Sequence, residues 1–286
     1  MQIERVGVVG CGLMGSGIAE VSARAGLDVV VVDVNEVAVK IGRERIENSL
    51  ANAVRRGKLD SESQSRALEA IKFSIEMGAL ADRQLVVEAV TEAEDVKTAL
   101  FRTLDEIVDD PNAILASNTS SIPIMKLAMA TRRPEHVVGL HFFNPVPVLP
   151  LVELVSSLVT SPETTKRAAD FATDILKKHV IHSKDRAGFI VNALLIPYLL
   201  SSIRMLESGF ATAEDIDTGM VQGCAHPMGP LALADLIGLD TTMAVAESLY
   251  KEFKEPLYAA PPLLSRMVEA GLLGRKSGRG FHTYDR

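Results

Sequence analysis

Between residues 117 and 155 the chain repeatedly sets one or two polar groups into apolar surroundings. Ser117, Asn118, Thr119, Ser120 and Ser121 follow the apolar run 113–116. His141 comes after Gly139 and Leu140 and before Phe142, Phe143, Asn144 and Pro145, and Glu153 lies inside Leu151-Val152-Glu153-Leu154-Val155. Burying such groups costs free energy unless they are paired or used. A histidine titrates near neutral pH and can take up or return a proton. The stretch is therefore either a set of satisfied core residues or an active site with acid–base chemistry.

The elements that must position these groups read as an open, mostly parallel α/β sheet. Residues 5–10 form a continuous apolar run ending in Gly10, as a central parallel strand does. Gly10, Gly12 and Gly15 then open a helix that Gly26 closes, and residues 28–33 form a second strand ending in Asp33. A strand, a G-x-G-x-x-G turn, a helix and an acid at the next strand end form a dinucleotide-binding pattern. Gly10 would permit the turn, Gly12 the approach of a pyrophosphate, and Gly15 close helix–strand packing. The helix N-terminus would hold the phosphates. Asp33 can accept hydrogen bonds from ribose hydroxyls and would repel a 2′-phosphate. With Val34, Asn35 and Glu36 after it, NAD is favoured over NADP.

Residues 36–56 read as a helix, followed by a second one that Ser61 and Gln64 would open as a capping box. Between Lys40 and Lys58 stand six basic and two acidic residues, either an anion patch or a solvated helix face. A strand over 84–90, a helix over 93–108 and a strand over 113–116 come next. Ser121 would cap a short helix starting at Ile122-Pro123. Ligands bind at the carboxyl ends of strands in such sheets, which places Lys97, Asn118 and Ser120 in the right region. Strands are expected over 137–143, 151–155 and 179–182, with a helix over 161–178. From Lys184 the β pattern ends. Helices are expected over 188–207, from Thr212, and over 231–237, 241–253 and 263–270, before a glycine-rich closing loop. The expected organisation is thus a dinucleotide-binding domain, 1–183, with a helix-hairpin insertion, and an all-α domain, 184–286, for substrate and dimerisation.

The 286 residues carry a net charge of −7 and no Trp, with aromatics at 5%. Nucleic-acid and anionic-membrane binding are disfavoured on both counts. The most apolar run, 188–203, is too short for a membrane span and contains Pro197. Cys11 and Cys224 have neither metal nor disulfide spacing, and His136, His179, His182, His226 and His282 form no ligand pattern, so no metal is expected. Residues 1–5 lead straight into a strand without a signal-peptide pattern, and a reducing cytoplasm is the expected setting.

Taken together, Gly10-x-Gly12-Leu13-Met14-Gly15, residues 117–121, His141-Phe142-Phe143-Asn144-Pro145, Gly188-Phe189-Ile190-Val191-Asn192 and Pro227-Met228-Gly229-Pro230 resemble the L-3-hydroxyacyl-CoA dehydrogenase family over essentially the whole chain. The resemblance implies NAD-dependent interconversion of (S)-3-hydroxyacyl-CoA and 3-ketoacyl-CoA on short chains. It implies that His141 is the acid/base and Glu153 its carboxylate partner, and that Ser120 and Asn192 orient the substrate oxygen. Gly10, Gly12, Leu13, Met14, Gly15, Asp33, Glu92, Lys97, Asn118, Ser120 and Asn144 would line the NAD site, with Lys276 added from the closing loop. Ser49 and Arg56 fall where the family contacts CoA. Two positions depart from the pattern: Ala193 stands where an arginine is usual, and His282 where a tyrosine is usual.

The chemistry agrees with the resemblance. Moving a hydride from an alcohol carbon requires loss of the hydroxyl proton, which a histidine can accept. A carboxylate on the other ring nitrogen fixes the tautomer and stabilises the imidazolium. A free 3-hydroxy acid as substrate would not need the basic hairpin, and a non-catalytic nucleotide-binding protein would not need the four polar groups together.

Overall fold

The computed structural model describes residues 3–284. The chain forms two compact units that part between Arg186 and Ala187.

The first unit is built on one eight-stranded sheet. Its strands are β1 (Arg5–Val9), β2 (Asp28–Val32), β3 (Ile71–Ser74), β4 (Leu85–Glu88), β5 (Ile114–Ser117), β6 (Val137–Phe142), β7 (Leu151–Ser156) and β8 (His179–Lys184). Their order across the sheet is β3-β2-β1-β4-β5-β6-β7-β8. All neighbours up to β6 are parallel, β7 runs antiparallel to β6, and β8 runs parallel to β7. The apolar runs of β1, β2, β4 and β5 are buried because helices cover both faces of a parallel sheet. Strand order reverses at β1 and β4, so a crevice opens beyond their carboxyl ends.

The crossover from β1 to β2 is α1 (Leu13–Arg24). From β2 the chain takes α2 (Glu36–Arg55) and α3 (Ser61–Glu69) before entering β3. In α2 the buried residues are Val39, Gly42, Ile46 and Leu50, spaced to form one stripe. Ile46 and Leu50 are almost wholly buried, each worth roughly 2 kcal/mol of transfer free energy. The charged residues of α2 lie outside that stripe, where Val37 and Ile41 are also exposed. The N-cap of α3 is Asp60, not the expected Ser61; its carboxylate accepts from the Ser63 amide at 2.7 Å. An acid reaches that amide as well as a serine does, and adds charge at the helix start.

Beyond β4 the chain forms α4 (Glu94–Ile107), and beyond β5 the short α5 (Ile124–Ala128). Ser121 does not cap α5. Its first amides, Ile124 and Met125, instead donate to the Asp185 carboxylate at 2.7 Å each. The helix expected over 161–178 is α6 (Pro162–Asp170) continued by a wider π turn, Phe171–Ile175. β8 extends two residues past its expected end, because Lys184 still pairs with Ser156, and the sheet unit therefore runs beyond residue 183.

The second unit holds α7 (Val191–Glu207), α8 (Ala213–Gly223), α9 (Pro230–Ile237), α10 (Leu239–Phe253) and α11 (Pro262–Glu269). α7 starts later than expected because Gly188 and Phe189 have φ of 73° and 48°, which a right-handed helix cannot include. Leu199, Leu200, Ile203, Leu231, Leu239 and Leu249 form its core. Among the described residues no helix is long and apolar enough to cross a membrane.

Candidate active site

β6 and β7 place His141 and Glu153 as direct partners across the antiparallel ladder. Their side chains meet, with Nδ1 2.7 Å from Oε2, and both residues are buried. A carboxylate can only accept, so Nδ1 carries the proton and donates it. Nε2 is then left as the atom that can gain or lose a proton. It lies 3.0 Å from Ser120 Oγ. The Phe143 ring packs edge-on against the imidazole at 4.7 Å between centroids, which leaves the ring little room to turn. Asn118 Oδ1 accepts from the Phe142 amide at 2.8 Å and so ties the loop after β5 to the end of β6.

That loop is held from below by charges. Glu92 Oε1 accepts from Thr119 Oγ1 at 2.5 Å and from the Ser120 amide at 2.9 Å, and its other oxygen lies 3.1 Å from Lys97 Nζ. Burial alone would raise the Glu92 carboxyl. The charge of Lys97 and the hydrogen bonds from Thr119 and Ser120 outweigh it and hold Glu92 below the usual carboxylate range. Lys97 is itself only 1% exposed and lies 2.6 Å from Glu88 Oε1.

The glycine loop joins β1 to α1. Gly10 has φ of 93°, and a Cβ there would meet the Ala89 carbonyl oxygen at 2.7 Å. At Gly15 a Cβ would lie 1.8 Å from the Gly10 carbonyl oxygen, so only glycine lets helix and strand come this close. Gly12 is the N-cap of α1 with no side-chain cap, and nothing lies within 4 Å of where its Cβ would be. Free amides facing open space suit a phosphate. Asp33 accepts from the Cys11 amide at 2.5 Å and from the Val34 amide at 2.7 Å. Gly10, Gly12, Asp33, Val34, Ile75 and Leu100 are among the residues lining a cavity of about 490 Å³. These groups fit an adenine nucleotide. Leu13 and Met14 form the first turn of α1. Asn144 is exposed just beyond β6.

A second cavity, of about 630 Å³, lies between α1, α2 and the loop 143–150. Arg45, Ser49, Asn52 and Arg56 line it from one face of α2, at the spacing that stacks side chains on a helix. Lys58 and, from α1, Glu20 and Arg24 also line it. The expected basic patch is therefore only partly a patch. Of its six cations Arg45, Arg56 and Lys58 line the cavity, while Arg43 lies over the Phe73 ring, Arg55 turns to Asn52, and Lys40 lies one helical turn from Glu44. Pro147 and Val148 complete the wall. Their loop is fastened by Lys178, whose Nζ donates to the carbonyls of Val146 and Leu149 at 2.6 and 2.7 Å.

Two predicted residues belong to the helical unit. Asn192 is half-buried in the first turn of α7. Lys276 pairs with Asp240 at 2.5 Å. His282 Nε2 lies 2.8 Å from Asp217 Oδ2, whose carboxylate also accepts the Leu231 and Ala232 amides. Buried Asp235 accepts the Phe281 and His282 amides and the Tyr284 hydroxyl, and burial and that carboxylate push Tyr284 up to about 12. Sequence reasoning missed Glu88, Thr119, Lys178 and Asp185 as groups that position the site. Glu88 left a signal, a charge closing a Val86-Val87 run, and Thr119 stood in the polar run 117–121; Lys178 and Asp185 left none.

Residues 5–186 match the model of the 3-hydroxyacyl-CoA dehydrogenase NAD binding domain, and residues 188–284 that of the 3-hydroxyacyl-CoA dehydrogenase C-terminal domain. The chain is 60% identical to a 3-hydroxybutyryl-CoA dehydrogenase of Mycobacterium tuberculosis, over 99% of each chain. It is 41% identical to the human mitochondrial hydroxyacyl-coenzyme A dehydrogenase, over 99% of this chain and 91% of that one. The crystal structure of M. tuberculosis FadB2 superposes with a TM-score of 0.99 at 59% identity, covering 100% of both chains. That of Ralstonia eutropha (S)-3-hydroxybutyryl-CoA dehydrogenase gives 0.94 at 46%, again over 100% of both. A two-unit chain with this glycine loop and this histidine–glutamate pair, matched end to end, belongs to the 3-hydroxyacyl-CoA dehydrogenase family.

Proposed function

We propose that the chain interconverts (S)-3-hydroxyacyl-CoA and 3-ketoacyl-CoA with NAD, acting on 3-hydroxybutyryl-CoA. The observation that carries this reading is the line of contacts from Ser120 Oγ through the His141 ring to Glu153. It leaves one basic nitrogen beside a hydroxyl, the arrangement needed to deprotonate an alcohol.

In oxidation, His141 Nε2 takes the proton of the 3-hydroxyl. Glu153 stabilises the imidazolium that results. Ser120 and, from the helical unit, Asn192 hold the oxygen as its charge changes. NAD, held by Gly10, Gly12, Leu13, Met14, Gly15 and Asp33, supplies the hydride acceptor. Glu92, Lys97, Asn118, Asn144 and Lys276 complete its surroundings. In reduction the same nitrogen returns the proton. Arg56 and Ser49 receive the CoA moiety in the 630 Å³ cavity. The chain works as a homodimer in the cytoplasm. Large apolar side chains left exposed on the helical unit, among them Leu194 at 72% and Phe210 at 79%, support pairing there.

The test is NADH oxidation with acetoacetyl-CoA, longer 3-ketoacyl-CoAs and free acetoacetate, with NADPH in parallel. Turnover of the thioesters with NADH is expected. Turnover of the free acid alone, or of none, overturns the reading.

A further inference from the structure

Glu88 is fully buried at the carboxyl end of β4. Both oxygens of its carboxylate are engaged. Oε1 accepts from Lys97 Nζ at 2.6 Å and from the Val90 amide at 2.8 Å, and Oε2 accepts from Ser117 Oγ at 2.6 Å. Two separate routes lead from these contacts to the loop that carries Ser120. In one, Ser117 Oγ accepts from the Thr119 amide at 3.1 Å. In the other, Lys97 lies 3.1 Å from Glu92, and Glu92 accepts the Ser120 amide and the Thr119 hydroxyl. A charge so deeply buried is costly unless every partner is in place, and removing one strands the others.

We infer that Glu88 is a positioning residue for the acid/base centre. It fixes the Ser117–Ser121 loop from beneath at two points and so holds Ser120 Oγ on His141 Nε2. The assignment rests on the dehydrogenase reading for its effect on rate, but not for its effect on the Ser120–His141 contact. Glu88 orders Lys97, Lys97 orders Glu92, and Glu92 with Ser117 sets the height of Ser120. A merely structural Glu88 would lower stability without acting through Ser120.

The experiment separates these roles in the full chain. The pH titration of the His141 ring protons is followed by NMR in the parent protein, Ser120→Ala, Glu88→Gln and the double variant, with a thermal melt of each. Glu88→Gln should displace the His141 titration in the same direction as Ser120→Ala, and the double variant should show no further displacement. In the acetoacetyl-CoA assay at saturating NADH, Glu88→Gln should lower kcat by about tenfold or more. In the Ser120→Ala background it should change kcat by less than about twofold. Should Glu88→Gln not fold, Ser117→Ala cuts one route alone. It should move the His141 titration partway and be likewise silent without Ser120. A His141 titration unchanged in the folded variant, or rate losses that multiply in the Ser120→Ala background, overturns the inference. A parent protein without thioester turnover refutes the dehydrogenase reading instead, and the NMR result still decides the role of Glu88.

Discussion

Glu153 stands directly across the β6–β7 ladder from His141, and its Oε2 lies 2.7 Å from the ring's Nδ1. The register of two strands therefore fixes the tautomer of the His141 ring. Slipping the pairing by one residue would turn Glu153 to the other face of the sheet.

Glu153→Gln keeps the shape but can present an N–H where Nδ1 needs an acceptor. We expect kcat to fall by about 10³-fold or more with acetoacetyl-CoA. His141→Ala should cost at least about 10²-fold in kcat with NADH affinity preserved. Steady-state kinetics and a fluorescence titration with NADH check both. Near-normal turnover of either variant would remove the pair from the mechanism.

Asp33 holds the Cys11 and Val34 amides and faces the adenine-side cavity, so its charge should repel a 2′-phosphate. In Asp33→Ala the preference for NADH over NADPH, measured as a ratio of kcat/KM, should fall by at least about tenfold. An unchanged ratio would show that Asp33 only braces the turn.

Arg56 is exposed at the end of α2 and lines the cavity together with Arg24 of α1. Arg56→Glu should raise KM for acetoacetyl-CoA roughly tenfold while barely changing it for the pantetheine thioester, which lacks the phosphorylated nucleotide. Equal effects on the two substrates would place the nucleotide elsewhere.

Glu20 lies at the back of the same cavity and is 1% exposed. Burial pushes its carboxyl above the ordinary range, and the Ser49 hydroxyl and Arg24 offset this only in part. The folded state thus holds this proton more tightly than the unfolded chain does. Ionising Glu20 costs stability as pH rises above the unfolded value of about 4.3, and the cost is absent below it. Glu20→Gln should therefore raise Tm at pH 7 by about 2 °C and leave it unchanged near pH 4. A Tm at pH 7 that stays level or drops would count against this account.

Much of this molecule is readable from its residues. The glycine turn after β1, the acid ending β2 and the buried runs of the central strands announce the nucleotide half, because each follows from local chain geometry. β3 does not: Ile71-Lys72-Phe73-Ser74 alternates apolar and polar, but over only four residues at the sheet edge, too short a pattern to stand out. Asp185 could not be read as the cap of α5, since the two lie 61 and 60 residues apart along the chain. The six cations near α2 look alike in one dimension; the helical turn sorts Arg45 and Arg56 from Arg43, and Arg55 is set apart only by its contact with Asn52. His141 and Glu153 announced themselves as polar residues in apolar strands, but their pairing needed the antiparallel turn of β7.

The loop 143–150 leaves β6 two residues after His141, walls the cavity with Pro147 and Val148, and returns into β7 two residues before Glu153. Lys178 clamps it at two carbonyls. Under the proposed function, substrate grip and reaction rate are consequently written into one short piece of chain. Reshaping that loop to suit a different thiol carrier would disturb the spacing of the acid/base pair. Changes of specificity in this lineage, or on the bench, have freer ground on the exposed face of α2, where a side chain can be exchanged without moving a strand.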